Sequence, residues 1–227
     1  MRAQDRIIVA LDVPAVDDAM KIVDDLGESI SFYKVGLELL MAGGFDRLLA
    51  RLLPAKRVFV DLKMPDDIPT TIENAVRVAT NLGVRFLTLS HSVGPATIHA
   101  ALRGRGERKH PELLYVPFLS SQDSSDLAVG EFHEELVRRA ERASRLGADG
   151  FIVSGSEIAV LRAKFPHAPI VSPGIRPAWA ASNDHKRPCT PADAIRMGSD
   201  YLVIGRPITK ANDRREAVRK IALEMGG

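Results

Sequence analysis

The sequence predicts an α/β fold of the closed (β/α)8 barrel type, a TIM barrel, formed as a single domain by residues 1–227. Three observations favour this fold. Short apolar runs without polar alternation indicate strands that are buried on both faces. Helix-patterned segments follow these runs in turn, which indicates a parallel sheet, and the strand and helix pair occurs eight times. No G-x-G-x-x-G motif follows the first run, which disfavours an open, doubly wound sheet.

Each predicted strand is a mainly apolar run of three to six residues with polar or turn-forming residues at its ends. In chain order the predicted strands are Ile7–Leu11, Phe32–Val35, Arg57–Leu62, Phe86–Ser90, Leu113–Phe118, Gly150–Val153, Ile170–Ser172 and Tyr201–Ile204.

The segments between the strands have the apolar spacing of a helix face. Pro14 and the acidic pair Asp17 and Asp18 open the first of them, as is typical of a helix start. Gly147 and Gly198 each follow a predicted helix, where a glycine cap commonly ends one. The predicted helices are Asp17–Leu26, Phe45–Leu53, Pro69–Leu82, Pro95–Leu102, Phe132–Leu146, Glu157–Lys164, Pro191–Met197 and Arg214–Met225.

The composition is that of an ordinary globular protein, with 45% hydrophobic residues, 26% charged residues and a formal net charge of +2. This charge gives no electrostatic reason to expect a nucleic-acid partner, and the basic stretch 103–109 is short, interrupted by glycine and free of aromatic residues. Cys189 is the only cysteine, which excludes an intrachain disulfide and a cysteine metal cage. Since no apolar stretch has membrane-spanning length and none resembles a signal peptide, we expect a soluble cytoplasmic protein without a membrane partner.

The most informative motif is Asp61-Leu62-Lys63, at the end of the third predicted strand. Alternate residues of a strand share a face, so the Asp61 carboxylate and the Lys63 ammonium are predicted to lie side by side. An isolated pair of this kind is usually a surface ion pair that adds little stability. Further acidic residues, Asp66 and Asp67, follow closely and favour a functional interpretation.

Other polar residues also fall at the carboxyl ends of predicted strands, where the active site of such a barrel lies. Asp12 ends the first strand and Lys34 lies within the second. The segments 173–177 (Pro-Gly-Ile-Arg-Pro) and 205–207 (Gly-Arg-Pro) follow the seventh and eighth strands. Loops at these two positions commonly bind phosphate, with glycine allowing close approach and an arginine such as Arg176 supplying a forked donor. The sequence therefore predicts a phosphorylated substrate.

Taken together, these motifs resemble the bacterial type of the orotidine 5′-monophosphate decarboxylase family. The resemblance spans nearly the whole chain and rests on the segments 9–12, 33–36, 61–63, 67–71, 172–177 and 201–207. It implies a cytoplasmic homodimer with shared active sites that converts orotidine 5′-monophosphate to UMP in de novo pyrimidine biosynthesis. It also implies that the reaction needs no metal ion and no organic cofactor.

The resemblance implies a role for each matching residue. Lys34, Asp61, Lys63 and Asp67 would form a catalytic charge network, with Asp67 donated by the other subunit. Lys63, kept protonated by its acidic neighbours, would stabilise the carbanion left at C6 and deliver the proton to it. The resemblance also implies the substrate contacts. Asp12 would contact the ribose, as would Thr71 from the other subunit. Ser121 would contact the pyrimidine, and Gly205 and Arg206 the phosphate.

Two departures from the family pattern leave alternatives open. Asp66 has the usual spacing from Lys63, whereas Asp67 has the usual neighbours, and we favour Asp67 because a loop can absorb one inserted residue. His185 stands where the family commonly has a glutamine that contacts phosphate. Its ring could donate to phosphate in the same way or point to solvent.

Two other functions are compatible with the barrel and its phosphate loops. One is a Mg²⁺-dependent sugar-phosphate decarboxylase or aldolase of the same superfamily, but Lys34 would repel the metal ion where those relatives need an acidic group. The other is a nucleotide-binding homologue without catalysis, with the inserted residue near Asp66 as its defect.

Overall fold

The computed structural model describes residues 2–119, 129–180 and 189–226. Within them, eight parallel strands close into a barrel in which each strand pairs with the next and the last pairs with the first. The strands are β1 (Ile7–Ala10), β2 (Phe32–Gly36), β3 (Arg57–Met64), β4 (Phe86–Leu89), β5 (Glu112–Tyr115), β6 (Gly150–Ile152), β7 (Ile170–Ser172) and β8 (Tyr201–Ile204). The fold class predicted from the sequence is confirmed.

The helices surround the barrel, and most of them follow a strand as predicted. They are α1 (Val16–Leu26), α2 (Leu37–Met41), α3 (Phe45–Leu52), α4 (Pro69–Leu82), α5 (Pro95–Arg105), α6 (Val129–Arg145), α7 (Glu157–Lys164), α8 (Pro191–Arg196), α9 (Arg206–Thr209) and α10 (Arg214–Glu224). None of the helices in these described ranges is long and apolar enough to cross a membrane.

Predicted and observed elements differ mainly where a strand ends. β3 continues past Leu62 to Met64, because Met64 resumes pairing with β4 after a shift in register. β5 ends at Tyr115, short of the predicted Phe118, and the following Pro117 has no N–H to extend the ladder. The short helices α2 and α9 were not predicted, since four or five residues are too few to show a helical period.

Two apolar layers form the core. One fills the space between the barrel and the helices, and the other fills the barrel itself. The residues of the inner layer are Ile8, Ala10, Phe32, Phe59, Phe86, Leu114, Val116, Ile152, Val171, Tyr201 and Val203.

Aromatic side chains pack together inside the barrel at its amino-terminal end. Phe86 lies at the centre, with ring centroids 5.3 Å from Phe32, 5.3 Å from Tyr201 and 5.9 Å from Phe59. The Phe86 contacts with Tyr201 and Phe59 are edge-to-face, the geometry that aromatic quadrupoles favour. The Arg57 guanidinium covers Phe32 at 4.5 Å. These rings therefore fill the interior of the barrel at this end.

Helices α4 and α5 pack closely because Gly104 presents no side chain between them. A Cβ atom on Gly104 would overlap the Glu73 carbonyl oxygen and lie 2.9 Å from Val76 Cβ. Glu73 also joins the helices through an ion pair with Arg103. The close approach fixes the position of α5 relative to α4 and to the β3–α4 loop.

Replacing Gly104 by alanine should lower the free energy of unfolding by about 1–3 kcal/mol, since the added methyl group must push the two helices apart. The intrinsic helix preference of alanine over glycine acts in the opposite direction, by about 0.5–1 kcal/mol. Urea unfolding of the two proteins measures the difference. Unchanged or increased stability of Gly104→Ala would contradict the close packing.

Candidate active site

The carboxyl end of the barrel contains two adjoining cavities of about 200 Å³ and about 390 Å³. Lys34, Asp61 and Lys63 line both of them. The smaller cavity is otherwise mostly apolar, with Phe59, Val116, Phe118, Leu119, Ile152, Val153, Ser154, Pro173 and Val203 in its wall. The larger one is the more polar of the two and includes Asp12, Gly174, Arg176, Gly205, Arg206 and Thr209. The cleft thus has an apolar half and a polar half, joined at the charged side chains.

Four charged residues of alternating sign lie where the two cavities meet. The Lys34 Nζ atom donates to Asp12 Oδ1 at 2.9 Å and lies 3.4 Å from Asp61 Oδ2. The Lys63 Nζ atom lies 3.1 Å from both carboxylate oxygens of Asp61. Asp61 therefore lies between two ammonium groups, and Lys34 lies between two carboxylates. The structure brings together Asp12, Lys34, Asp61 and Lys63, which the sequence placed on three different strands or strand ends.

The mutual attraction of these groups outweighs the cost of their burial. Burial disfavours the charge on Asp61, but the Lys34 and Lys63 ammonium groups more than offset this and hold the pKa of Asp61 below its ordinary value. Burial also disfavours the charge on Lys34, but Asp61 and Asp12 keep the pKa of Lys34 above its ordinary value. Both side chains are therefore charged at neutral pH.

The pairing of Asp61 with Lys63 depends on an irregular strand end. The register of β3 shifts between Val60 and Met64, and Lys63 has φ 46°, a left-handed conformation that is uncommon for lysine. The Lys63 N–H donates to Thr88 Oγ1 at 2.8 Å, and the Thr88 hydroxyl donates to Asp61 Oδ1 at 3.0 Å. Sequence reasoning missed Thr88, whose only sign was a hydroxyl within the apolar run of β4.

Replacing Asp61 by asparagine should lower the free energy of unfolding at neutral pH by about 3 kcal/mol, since it leaves two ammonium groups beside a neutral amide. The folded state lowers the pKa of Asp61. The carboxylate therefore adds stability above the unfolded-state pKa of about 3.9, and that stability is lost as the pH falls through the folded-state pKa.

Urea unfolding of both proteins between about pH 3 and pH 7 should accordingly show the difference shrinking towards acid. Asp24→Asn is the control, because Asp24 pairs with Arg51 on the surface and should leave the unfolding free energy nearly unchanged. A difference between wild type and Asp61→Asn that stays constant or grows towards acid would contradict the prediction.

The two candidate aspartates after Lys63 have different environments. The Asp66 carboxylate accepts the Gly94 N–H at 2.9 Å and the Thr97 hydroxyl, so it is engaged at the start of α5. The Asp67 Oδ1 atom accepts the N–H of Ile68, its own neighbour, at 2.6 Å, and Asp67 is exposed. Thr71, in the first turn of α4, is exposed as well. Neither Asp67 nor Thr71 lines the described cleft of its own chain.

The loops after β7 and β8 meet at the polar cavity, as the sequence predicts. Gly174 has φ 73°, in the left-handed region that favours glycine, and it precedes the buried Arg176. The backbone N–H of Arg176 donates to Cys189 O at 2.9 Å, which fixes this loop against the start of α8. Gly205 and Arg206 line the same cavity, at the start of α9.

Two predicted substrate-binding residues, Ser121 and His185, lie outside the described residues. Within the described ranges, no three or more histidine, cysteine, aspartate or glutamate side chains are grouped so as to hold a metal ion.

The chain is similar over its whole length to proteins of one known family. The model of the family described as Orotidine 5′-phosphate decarboxylase / HUMPS matches residues 5–221. The orotidine 5′-phosphate decarboxylase of Caulobacter vibrioides (strain NA1000 / CB15N) is 41% identical over 236 residues, covering 100% of both chains. That of Rhodopseudomonas palustris (strain BisA53) is 44% identical over 234 residues, covering 100% of this chain and 97% of the relative. The crystal structure of orotidine 5′-phosphate decarboxylase from Lactobacillus acidophilus has a TM-score of 0.82 and 33% identity, covering 98% of this chain and 100% of that one.

Proposed function

Because the chain belongs to the orotidine 5′-phosphate decarboxylase / HUMPS family, we propose that it converts orotidine 5′-monophosphate to UMP in pyrimidine biosynthesis. The observation that carries the proposal is the alternating set Asp12, Lys34, Asp61 and Lys63 between an apolar and a polar cavity. The reaction would take place in the cytoplasm, where a lone thiol such as Cys189 stays reduced.

The two halves of the cleft suit the two ends of this substrate. The phosphate would bind in the polar half, with Arg176, Arg206 and the Gly205 N–H as donors. The pyrimidine ring would occupy the apolar half, which brings C6 to the charged side chains at the join. The remaining proposed contacts are Asp12 and the partner's Thr71 with the ribose, Ser121 with the ring and His185 with the phosphate.

The proposed chemistry uses a fixed charge in place of electron delocalisation. Breaking the bond between C6 and the carboxylate releases carbon dioxide and leaves the electron pair on C6, where no adjacent carbonyl can delocalise it. The Lys63 ammonium would stabilise this carbanion and transfer a proton from Nζ to C6. Solvent would then return a proton to Lys63, so that the overall reaction consumes one proton and needs no metal ion or organic cofactor.

Asp61 and Lys34 would set the electrostatics of that step. The Asp61 carboxylate holds the Lys63 ammonium in place at 3.1 Å. It would also lie near the substrate carboxylate and disfavour that group's charge before it departs as neutral carbon dioxide. Lys34 keeps Asp61 ionised despite its burial. Binding of the distant phosphate would supply energy to hold the ring in this arrangement.

We also propose that the protein is a homodimer with shared active sites. Large apolar side chains are exposed on α2, on the β3–α4 loop and on α4, and we call this surface the α2–α4 face. Its residues are Leu37, Leu40, Met41, Ile68, Val78 and Leu82. α2 and α4 follow neighbouring strands, so these side chains lie on one side of the barrel. Exposed apolar patches of this kind are typical of protein interfaces.

The same face carries the two residues that do not line the cleft of their own chain. Asp67 and Thr71 flank the exposed Ile68 at the start of α4. Pairing of two α2–α4 faces would carry each Asp67 towards the partner's Lys63, whose side chain is 42% exposed. Asp66 is the weaker candidate for this role, because Gly94 and Thr97 already occupy its carboxylate.

The proposed function is tested by following the ultraviolet absorbance of orotidine 5′-monophosphate with purified protein, with and without EDTA. We expect an absorbance change at the same rate in both samples. Activity that EDTA abolishes would instead support the Mg²⁺-dependent alternative. Tight nucleotide binding without any absorbance change would support a binding protein without catalysis.

A further inference from the structure

Thr88 connects the two residues at the centre of the charged network. It lies on β4, next to β3, and no part of it is exposed to solvent. Its Oγ1 atom accepts the Lys63 N–H at 2.8 Å, and its hydroxyl donates to Asp61 Oδ1 at 3.0 Å. One side chain thus contacts the backbone of Lys63 and the carboxylate of Asp61 at the same time.

The contact with Lys63 compensates for a break in the sheet. Pairing between β3 and β4 is interrupted between Val60 and Met64, and Lys63 has a left-handed backbone with φ 46°. This conformation costs about 1–2 kcal/mol for a residue with a Cβ atom. A hydrogen bond from the Lys63 N–H to a buried side chain stabilises it and fixes the direction in which the lysine leaves the strand.

The contact with Asp61 fixes the orientation of the carboxylate. Asp61 Oδ1 accepts from the Thr88 hydroxyl, while Oδ2 lies 3.4 Å from Lys34 Nζ. The neutral hydroxyl adds no charge to the network. Together with the Lys34 and Lys63 ammonium groups, it holds the carboxylate plane against which the Lys63 ammonium lies.

We propose that Thr88 is a positioning residue, whose hydroxyl sets the relative placement of Asp61 and Lys63 for proton transfer. This inference rests on the proposed function. The hydroxyl acts through the two charged residues and does not touch the substrate. Its loss should therefore lower kcat more than it changes KM, because ground-state binding depends mainly on the phosphate loops and the apolar cavity.

The test compares Thr88→Val, which keeps the shape and removes the hydroxyl, with Thr88→Ser, which keeps the hydroxyl. We expect Thr88→Val to lower kcat about 10- to 100-fold with KM changed less than about 3-fold. Thr88→Ser should keep about half of the wild-type kcat or more. Thr80→Val is the matched control, because Thr80 is also buried but its hydroxyl donates to Val76 O within α4. This control should keep the wild-type kcat.

Each outcome decides a separate question. If the wild-type protein does not turn over orotidine 5′-monophosphate, the proposed function fails. If it does, a Thr88→Val variant with wild-type kcat overturns the inference about Thr88. A well-folded Thr88→Ser variant that loses as much kcat as Thr88→Val overturns it too, because the hydroxyl would then not matter. Thermal unfolding shows whether Thr88→Val is folded, and Thr88→Ala replaces it in the comparison if it is not.

Discussion

Lys63→Ala should abolish measurable decarboxylation of orotidine 5′-monophosphate while leaving UMP binding largely intact. Under the proposed mechanism, the substitution removes both the cation that stabilises the carbanion and the proton that C6 receives. Losing these two contributions together should lower kcat by at least about 10⁴-fold. UMP lacks the departing carboxylate, and its phosphate would still bind the loops after β7 and β8, so its affinity should change less than about 10-fold.

Steady-state turnover and calorimetric titration with UMP measure the two effects. Lys21→Ala is the matched control, because Lys21 pairs with Asp18 on the surface of α1 and should keep wild-type values for both. Near-normal turnover by Lys63→Ala would exclude Lys63 as the proton donor. Loss of UMP binding would instead show that Lys63 holds the ligand in the ground state.

Asp67→Ala should lower kcat far more than Asp66→Ala. Under the proposed dimer, removing the partner's Asp67 would take away a carboxylate that holds the Lys63 ammonium in place, and we expect a loss of about 10²-fold or more. Removing Asp66 leaves the charged network intact and releases only the contact with Gly94 and Thr97. We expect that change to affect thermal stability and to lower kcat less than about 10-fold. Equal losses from the two substitutions would contradict the assignment.

Mixing the inactive subunits tests whether Asp67 acts across the dimer interface. In a hybrid of one Lys63→Ala subunit and one Asp67→Ala subunit, one active site carries both defects and the other carries neither. Equal amounts should therefore recover about a quarter of the wild-type activity after random reassociation. If Lys63 and Asp67 of the same subunit act together, no hybrid site is intact and mixing restores nothing.

The barrel could be predicted from the sequence because each buried strand is a continuous apolar run with a helical segment after it. The pair Asp61 and Lys63 could be predicted as well, since alternate residues of a strand share a face. The local geometry could not. The N–H of Lys63, whose backbone is left-handed, donates to the hydroxyl of Thr88. Thr88 comes from a neighbouring strand and looks like part of an apolar run in the sequence.

The choice between Asp66 and Asp67 also depends on contacts between residues that are distant in the sequence. Spacing and neighbours gave opposite indications, and sequence alone could only weigh one against the other. The contacts of Asp66 with Gly94 and Thr97 involve residues about 30 positions further along the chain. No local pattern reveals them, because the pairing of β3 with β4 is what places the start of α5 beside Asp66. The proposed role of Asp67 depends on contacts with a second subunit, which the sequence of one chain does not encode locally.

The aromatic packing around Phe86 also determines the route by which molecules travel. Phe59 belongs to that packing and at the same time forms part of the wall of the apolar cavity. Within the described residues, these rings close the barrel beneath the cavity, which is reached from the carboxyl end. Under the proposed function, the nucleotide enters, and carbon dioxide and UMP leave, through one shared opening.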